Sequence, residues 1–159
     1  VNLMYWSPVN GDNLQAQSRS FGSLNISGHT TLTTLTVSGT ATFQANIVVN
    51  GHIITGGGAP NYSIGAAAGA GANVQVDGND TAGTITVTTG SGVSTGSLAD
   101  LVFSRTYGKS PRVLITAQND SSANARIYPS DKTTTGFSLG TSQALAPNTT
   151  YVFDYFIVQ

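Results

Sequence analysis

The sequence predicts an all-β protein, an intertwined trimeric β-stalk followed by a C-terminal antiparallel β-sandwich head of jelly-roll type. Three observations point there. Asp, Glu, Lys and Arg make up only 8% of the 159 residues, against roughly 25% in an ordinary soluble domain. All seven acidic residues are Asp, and without Glu, and with little Lys or Arg, the chain lacks the straight-chain residues that helical surfaces use. Thr, Ser, Gly, Asn, Val and Ala dominate instead, in short runs that alternate apolar and polar, the pattern of strands joined by tight turns.

Residues 1–22 are irregular and carry Tyr5 and the single Trp, Trp6, just before Pro8. The first ten residues mix polar and aromatic types and contain no apolar signal-peptide core. Val1 is either a natural mature start or the cut end of a longer chain. A strongly apolar aromatic pair in a polar tail has no obvious core to enter. Two readings stand: a docking peptide for a partner, with Tyr5, Trp6 and Pro8 as the anchor, or a segment that packs back on the following turn.

Residues 23–55 repeat. LNISGHTTL (24–32), LTVSGTATF (35–43) and IVVNGHIIT (47–55) share one template, with Gly28, Gly39 and Gly51 in the same place. The leading pairs Leu24/Ile26, Leu35/Val37 and Ile47/Val49 hold one phase, and Leu32 and Phe43 close the first two copies. Alternation reads as strand, because side chains i and i+2 share a face. Gly at a fixed place reads as turn, because it adopts positive φ without steric cost. Such short strands cannot bury their apolar stripe alone. Three parallel chains winding about one axis would bury Leu24, Ile26, Leu32, Leu35, Val37, Phe43, Ile47 and Val49 at its centre and pair the exposed edges.

Residues 56–73, GGGAPNYSIGAAAGAGAN, are small-residue rich and read as a linker or neck. Residues 74–159 form the head. Its strands are ANVQV (72–76, an edge strand that opens in the neck), TITVTT (84–89), LVFSR (101–105), RVLITAQ (112–118), ARIYPS (125–130), TGFSLG (135–140) and TYVFDYFIVQ (150–159), the last expected to be central. GSGVSTGS, NDSSAN and LAPN read as connections.

A net charge of −1, with six basic residues scattered from Arg19 to Lys132, gives no general attraction to nucleic acid or anionic lipid. No apolar run reaches the ~18 residues of a membrane span, so membrane insertion is not expected. The absence of Cys removes disulfides and thiolate metal sites, and no cofactor is expected. Asp77 and Asp80 in VDGNDTAG offer oxygens, but without the ligand spacing of a calcium loop the turn reading is preferred. His29 and His52 each follow a repeat glycine; one His per chain per level makes a weak metal site, and none is expected. GAAAGAGAN lacks the Lys-Ser/Thr ending of a phosphate loop. No nucleophile elbow and no paired carboxylates are evident, so the chain is expected not to be an enzyme. For ligand binding, Arg105 with Tyr107 and Arg126 with Tyr128 pair an aromatic ring with a cation, a combination that suits sugars. Against this, the tyrosines can simply pack in the sandwich while each Arg supports a rim.

LTVSGTATFQANIVVNG resembles stalk segments of bacteriophage fibres, where strand–Gly-turn repeats wind into a triple β-helix. LVFSRTYGKSPRVLIT, TTTGFSLG and TYVFDYFIVQ resemble small trimeric β-sandwich heads at fibre tips and are similar to H-type lectin domains. The resemblance implies a homotrimer on the virion surface. Residues 1–22 would join it to capsid or tail proteins, and the head would face outward toward a host cell-surface glycan. Alternatives are a capsid decoration (head fibre) protein with little receptor binding, or a bacterial surface adhesin or lectin.

Overall fold

The computed structural model describes residues 28–159. The segment 1–22 with Tyr5, Trp6 and Pro8, and the repeat residues Leu24 and Ile26, lie outside the described residues. The chain divides into two units, Val1–Val48 and Val49–Gln159.

In the first unit, residues 28–48 form no strand or helix. The backbone bends at Gly28, Thr33, Ser38-Gly39 and Gln44-Ala45; the first and third of these fall where the repeat template places its turns. Among the described residues no copy forms the strand–turn–strand unit that its alternation predicts. The side chains proposed to form the stalk core stand open, with Leu32 57%, Leu35 66%, Val37 48%, Phe43 61% and Ile47 59% exposed. In the second unit, residues 49–60 continue in the same manner, bending at Asn50-Gly51 and leaving Val49 49%, Ile53 79% and Ile54 90% exposed.

The rest of the second unit is a two-layer β-structure. Its strands are β1 (Asn61–Ile64), β2 (Asn73–Gly78), β3 (Ala82–Thr88), β4 (Gly96–Val102), β5 (Arg112–Ala117), β6 (Ile127–Ser130), β7 (Gly136–Thr141) and β8 (Thr150–Val158). They form two four-stranded sheets of order β1-β4-β7-β6 and β2-β3-β8-β5, with every pairing antiparallel. Helix is limited to a 3-10 turn at Ala66–Ala68 and one turn of α1 at Asp120–Ala123.

Alternation explains why these strands face as they do. In β8, Tyr151, Phe153, Tyr155 and Ile157 are buried, and in β3, Ile85 and Val87 are buried; they meet Leu98, Leu101, Phe137 and Leu139 of the other sheet in one core. Burying each such side chain contributes about 1.5–3 kcal/mol. β8 lies between β3 and β5, as expected for the most apolar strand. Its outward residues bond across strands: Thr84 Oγ1 donates to Asp154 Oδ1 at 2.6 Å. The outer face of this sheet is apolar at one end, where Leu114 pairs with Phe156 and Arg112 with Val158, and Leu114, Phe156 and Val158 are 54%, 47% and 41% exposed.

Three expectations need correction. Residues 56–73 are not merely a neck: β1 pairs with β4, and Ala67 and Ala68 are buried in the core. The run 101–105 is a strand only through Val102; β4 instead begins at Gly96, inside the stretch read as a connection. NDSSAN carries a helical turn, capped where Asn119 Oδ1 accepts from Ser122 N at 2.8 Å.

Candidate functional site

The turn between β2 and β3, Asn79-Asp80-Thr81, organises one cleft. Asn79 behaves as turn residues do: its Oδ1 accepts from Thr81 N at 2.8 Å and Ala82 N at 3.1 Å. Its amide also reaches out, donating to Thr55 O at 2.8 Å and Thr55 Oγ1 at 3.1 Å. Asp80 departs from the expected local bonding. Its carboxylate accepts from Ser104 N at 2.8 Å, Ser104 Oγ at 2.7 Å and Arg105 N at 2.8 Å, gripping the loop that follows β4. Two tyrosines close the assembly, with Tyr107 Oη donating to Asp80 O at 2.9 Å and Tyr155 Oη to Asn79 O at 2.6 Å. Gly83 makes that reach possible, because a Cβ there would stand 2.6 Å from the Tyr155 hydroxyl. Burial, then the nearby Asp80, Tyr107 and Asp77, push the Tyr155 hydroxyl up to about 12; an anion there would lose solvent and face negative neighbours.

Residues 56–58 lie along the same loop, since a Cβ on Gly58 would come within 2.7 Å of Ser104 Oγ. Between them and the β2–β3 turn, which contributes Asp80 and Thr81, opens a cleft of about 220 Å³ also lined by Arg105, Thr106 and Tyr107. This brings Arg105 and Tyr107 together, though not through strand alternation, because β4 has already ended. Arg105 is exposed, whereas Tyr107 is half-buried, edge-on to Phe103 with ring centroids 4.9 Å apart. The cleft offers one cation, two threonine hydroxyls and glycine backbone. Its carboxylate is already held by three donors.

Arg126 and Tyr128 are elsewhere. Both are exposed; Tyr128 sits on the edge strand β6, its ring against Gly140, where a Cβ would be 3.2 Å away. His29 and His52 are exposed. Among the described residues no three of His, Cys, Asp and Glu cluster as metal ligands would, and no helix is long and apolar enough to cross a membrane.

A second cavity, of about 270 Å³, lies between α1 and the segment 143–149. None of its residues was singled out in the sequence. The available signal was Asn119 ahead of DSSA, a helix N-cap pattern, which would have turned a supposed loop into a rigid wall. Comparison with family models, curated proteins and solved structures found no match.

Proposed function

We propose that this chain is a structural, non-enzymatic fibre or spike protein of a virion surface. Three copies twine through residues 23–55, residues 1–22 join the particle, and the sandwich is displayed outward for attachment to a host surface. One observation carries this. Leu32, Leu35, Val37, Phe43, Ile47 and Val49, spaced by the repeat, are between 48% and 66% exposed in a single copy, left open by the described residues. Burying them between chains would contribute roughly 1–2 kcal/mol each, or on the order of 10 kcal/mol per chain, comparable to the cost of association. The apolar outer patch of Leu114, Phe156 and Val158 adds a second surface that favours self-association. A cleft holding Arg105 and Tyr107, rather than paired free carboxylates, supports a binding head over a hydrolase.

The test is sedimentation of the intact chain at micromolar concentration, beside a Leu35→Ser/Phe43→Ser variant. A trimer that the double substitution weakens is expected. A compact, well-ordered monomer would end the proposal. Saturable binding of the trimer to host cells is the expected companion result; its absence would leave a particle protein with no attachment role.

A further inference from the structure

We infer that the cavity between α1 and the segment 143–149 binds a neutral sugar ring. Its lining contains no charged side chain. Ser121, Asn124, Gln143 and Thr149 supply hydroxyl and amide groups, and Leu145 supplies an apolar floor beside Tyr151. Amides and hydroxyls that both donate and accept match the adjacent hydroxyls of a pyranose, while the apolar floor suits its C–H face. A volume of about 270 Å³ falls just under the roughly 300–1,000 Å³ of drug-sized sites, which leaves room for about one ring. A charged sugar would find no counter-ion here, in contrast to the Arg105 cleft.

The walls are held in place before any ligand arrives. Ser122 Oγ donates to Asn119 Oδ1 at 2.6 Å and accepts from Val152 N at 2.7 Å, fastening α1 to β8. Across the cavity, Thr89 Oγ1 donates to Ala146 O at 2.7 Å and accepts from Thr149 N at 3.0 Å, and the Tyr151 hydroxyl accepts from Ala146 N at 3.0 Å. Gln143 Nε2 donates to Asn124 O at 3.3 Å, tying the two walls at the rim. Pre-ordered walls lower the entropy that binding would otherwise lose. The cavity is lined only by residues of the sandwich.

The experiment titrates the full chain with methyl glycosides of glucose, galactose, mannose, N-acetylglucosamine and N-acetylgalactosamine, and with a methyl sialoside, following the Asn124 and Gln143 side-chain amide signals by NMR. At least one neutral glycoside should shift them saturably, with a Kd on the order of millimolar. Ala144→Phe, at an exposed position on the cavity wall, should weaken binding at least about tenfold. Gln143→Ala should weaken it roughly fivefold. No shift with any neutral glycoside, preference for the sialoside, or undiminished binding in Gln143→Ala would each overturn the assignment, and the last stands even if Ala144→Phe fails to fold.

Discussion

Asp80→Ala should be among the most damaging substitutions outside the core. The carboxylate takes three hydrogen bonds, two from backbone N–H groups of Ser104 and Arg105 and one from Ser104 Oγ. A bond to a charged group contributes about 1.5–3 kcal/mol when shielded. Ser104 and Arg105 are exposed, and water can replace part of what is lost, so about 1 kcal/mol each is the better figure. The expected cost is about 2–3 kcal/mol, or a fall of about 1–1.5 M in the urea midpoint at a slope of about 2 kcal/mol/M. Asp80→Asn keeps one acceptor but turns an NH₂ toward donors, and should cost about half as much. Wild type and variants are compared at equal protomer concentration, because assembly makes stability concentration-dependent. Amide hydrogen exchange should also rise at residues 103–106. A midpoint unmoved by Asp80→Ala, with unchanged exchange in that loop, would refute the view of Asp80 as the clamp of the cleft.

Two further outcomes follow from the same geometry. Tyr155 ionises near 10 when unfolded and near 12 in the fold, so the folded protein keeps a proton that the unfolded chain loses; this contribution is fully present below pH 10 and disappears as pH approaches 12, up to about 2–3 kcal/mol. Tyr155→Phe should remove that part of the alkaline destabilisation in a pH series of urea melts, and a late step from phenolate absorbance titration. Gly90→Ala places a Cβ 1.9 Å from the Ala70 carbonyl oxygen and should cost about 3 kcal/mol or more, whereas Gly92→Ala, with nothing within 4 Å but a φ of +70°, should cost only about 1 kcal/mol; equal urea midpoints for the two would show that residues 66–72 do not need to sit against the sandwich.

Where one face of a strand is buried and the other wet, the sequence was legible. TITVT and TYVFDYFIV alternate through β3 and β8, and those strands were placed within a residue or two. β4 hid because its register shifts between Ser97 and Ala99, so Leu98 and Ala99 are buried side by side and the alternation breaks. GAAAGAGAN looked like a neck because small residues record that something approaches closely, not what approaches. Here Gly90 donates to Ala68 O at 2.9 Å and Ala70 bridges Ser91, contacts between segments about twenty residues apart. The site was less legible still. Arg105 and Tyr107 were picked for their chemistry, but what joins them to a cleft is Asp80 acting 24 and 25 residues away, and no local pattern records that partnership.

The anchoring of Thr55 by Asn79 has a mechanical consequence. Without it, tension applied to the chain ahead of the sandwich would arrive first at β1, an edge strand of four residues, and could unzip it bond by bond. With it, the pull is delivered to the Asn79-Asp80 turn, which is tied to β8 through Tyr155 and to the end of β4 through Ser104 and Arg105. Part of the load therefore enters both sheets through this turn before it reaches the edge strand.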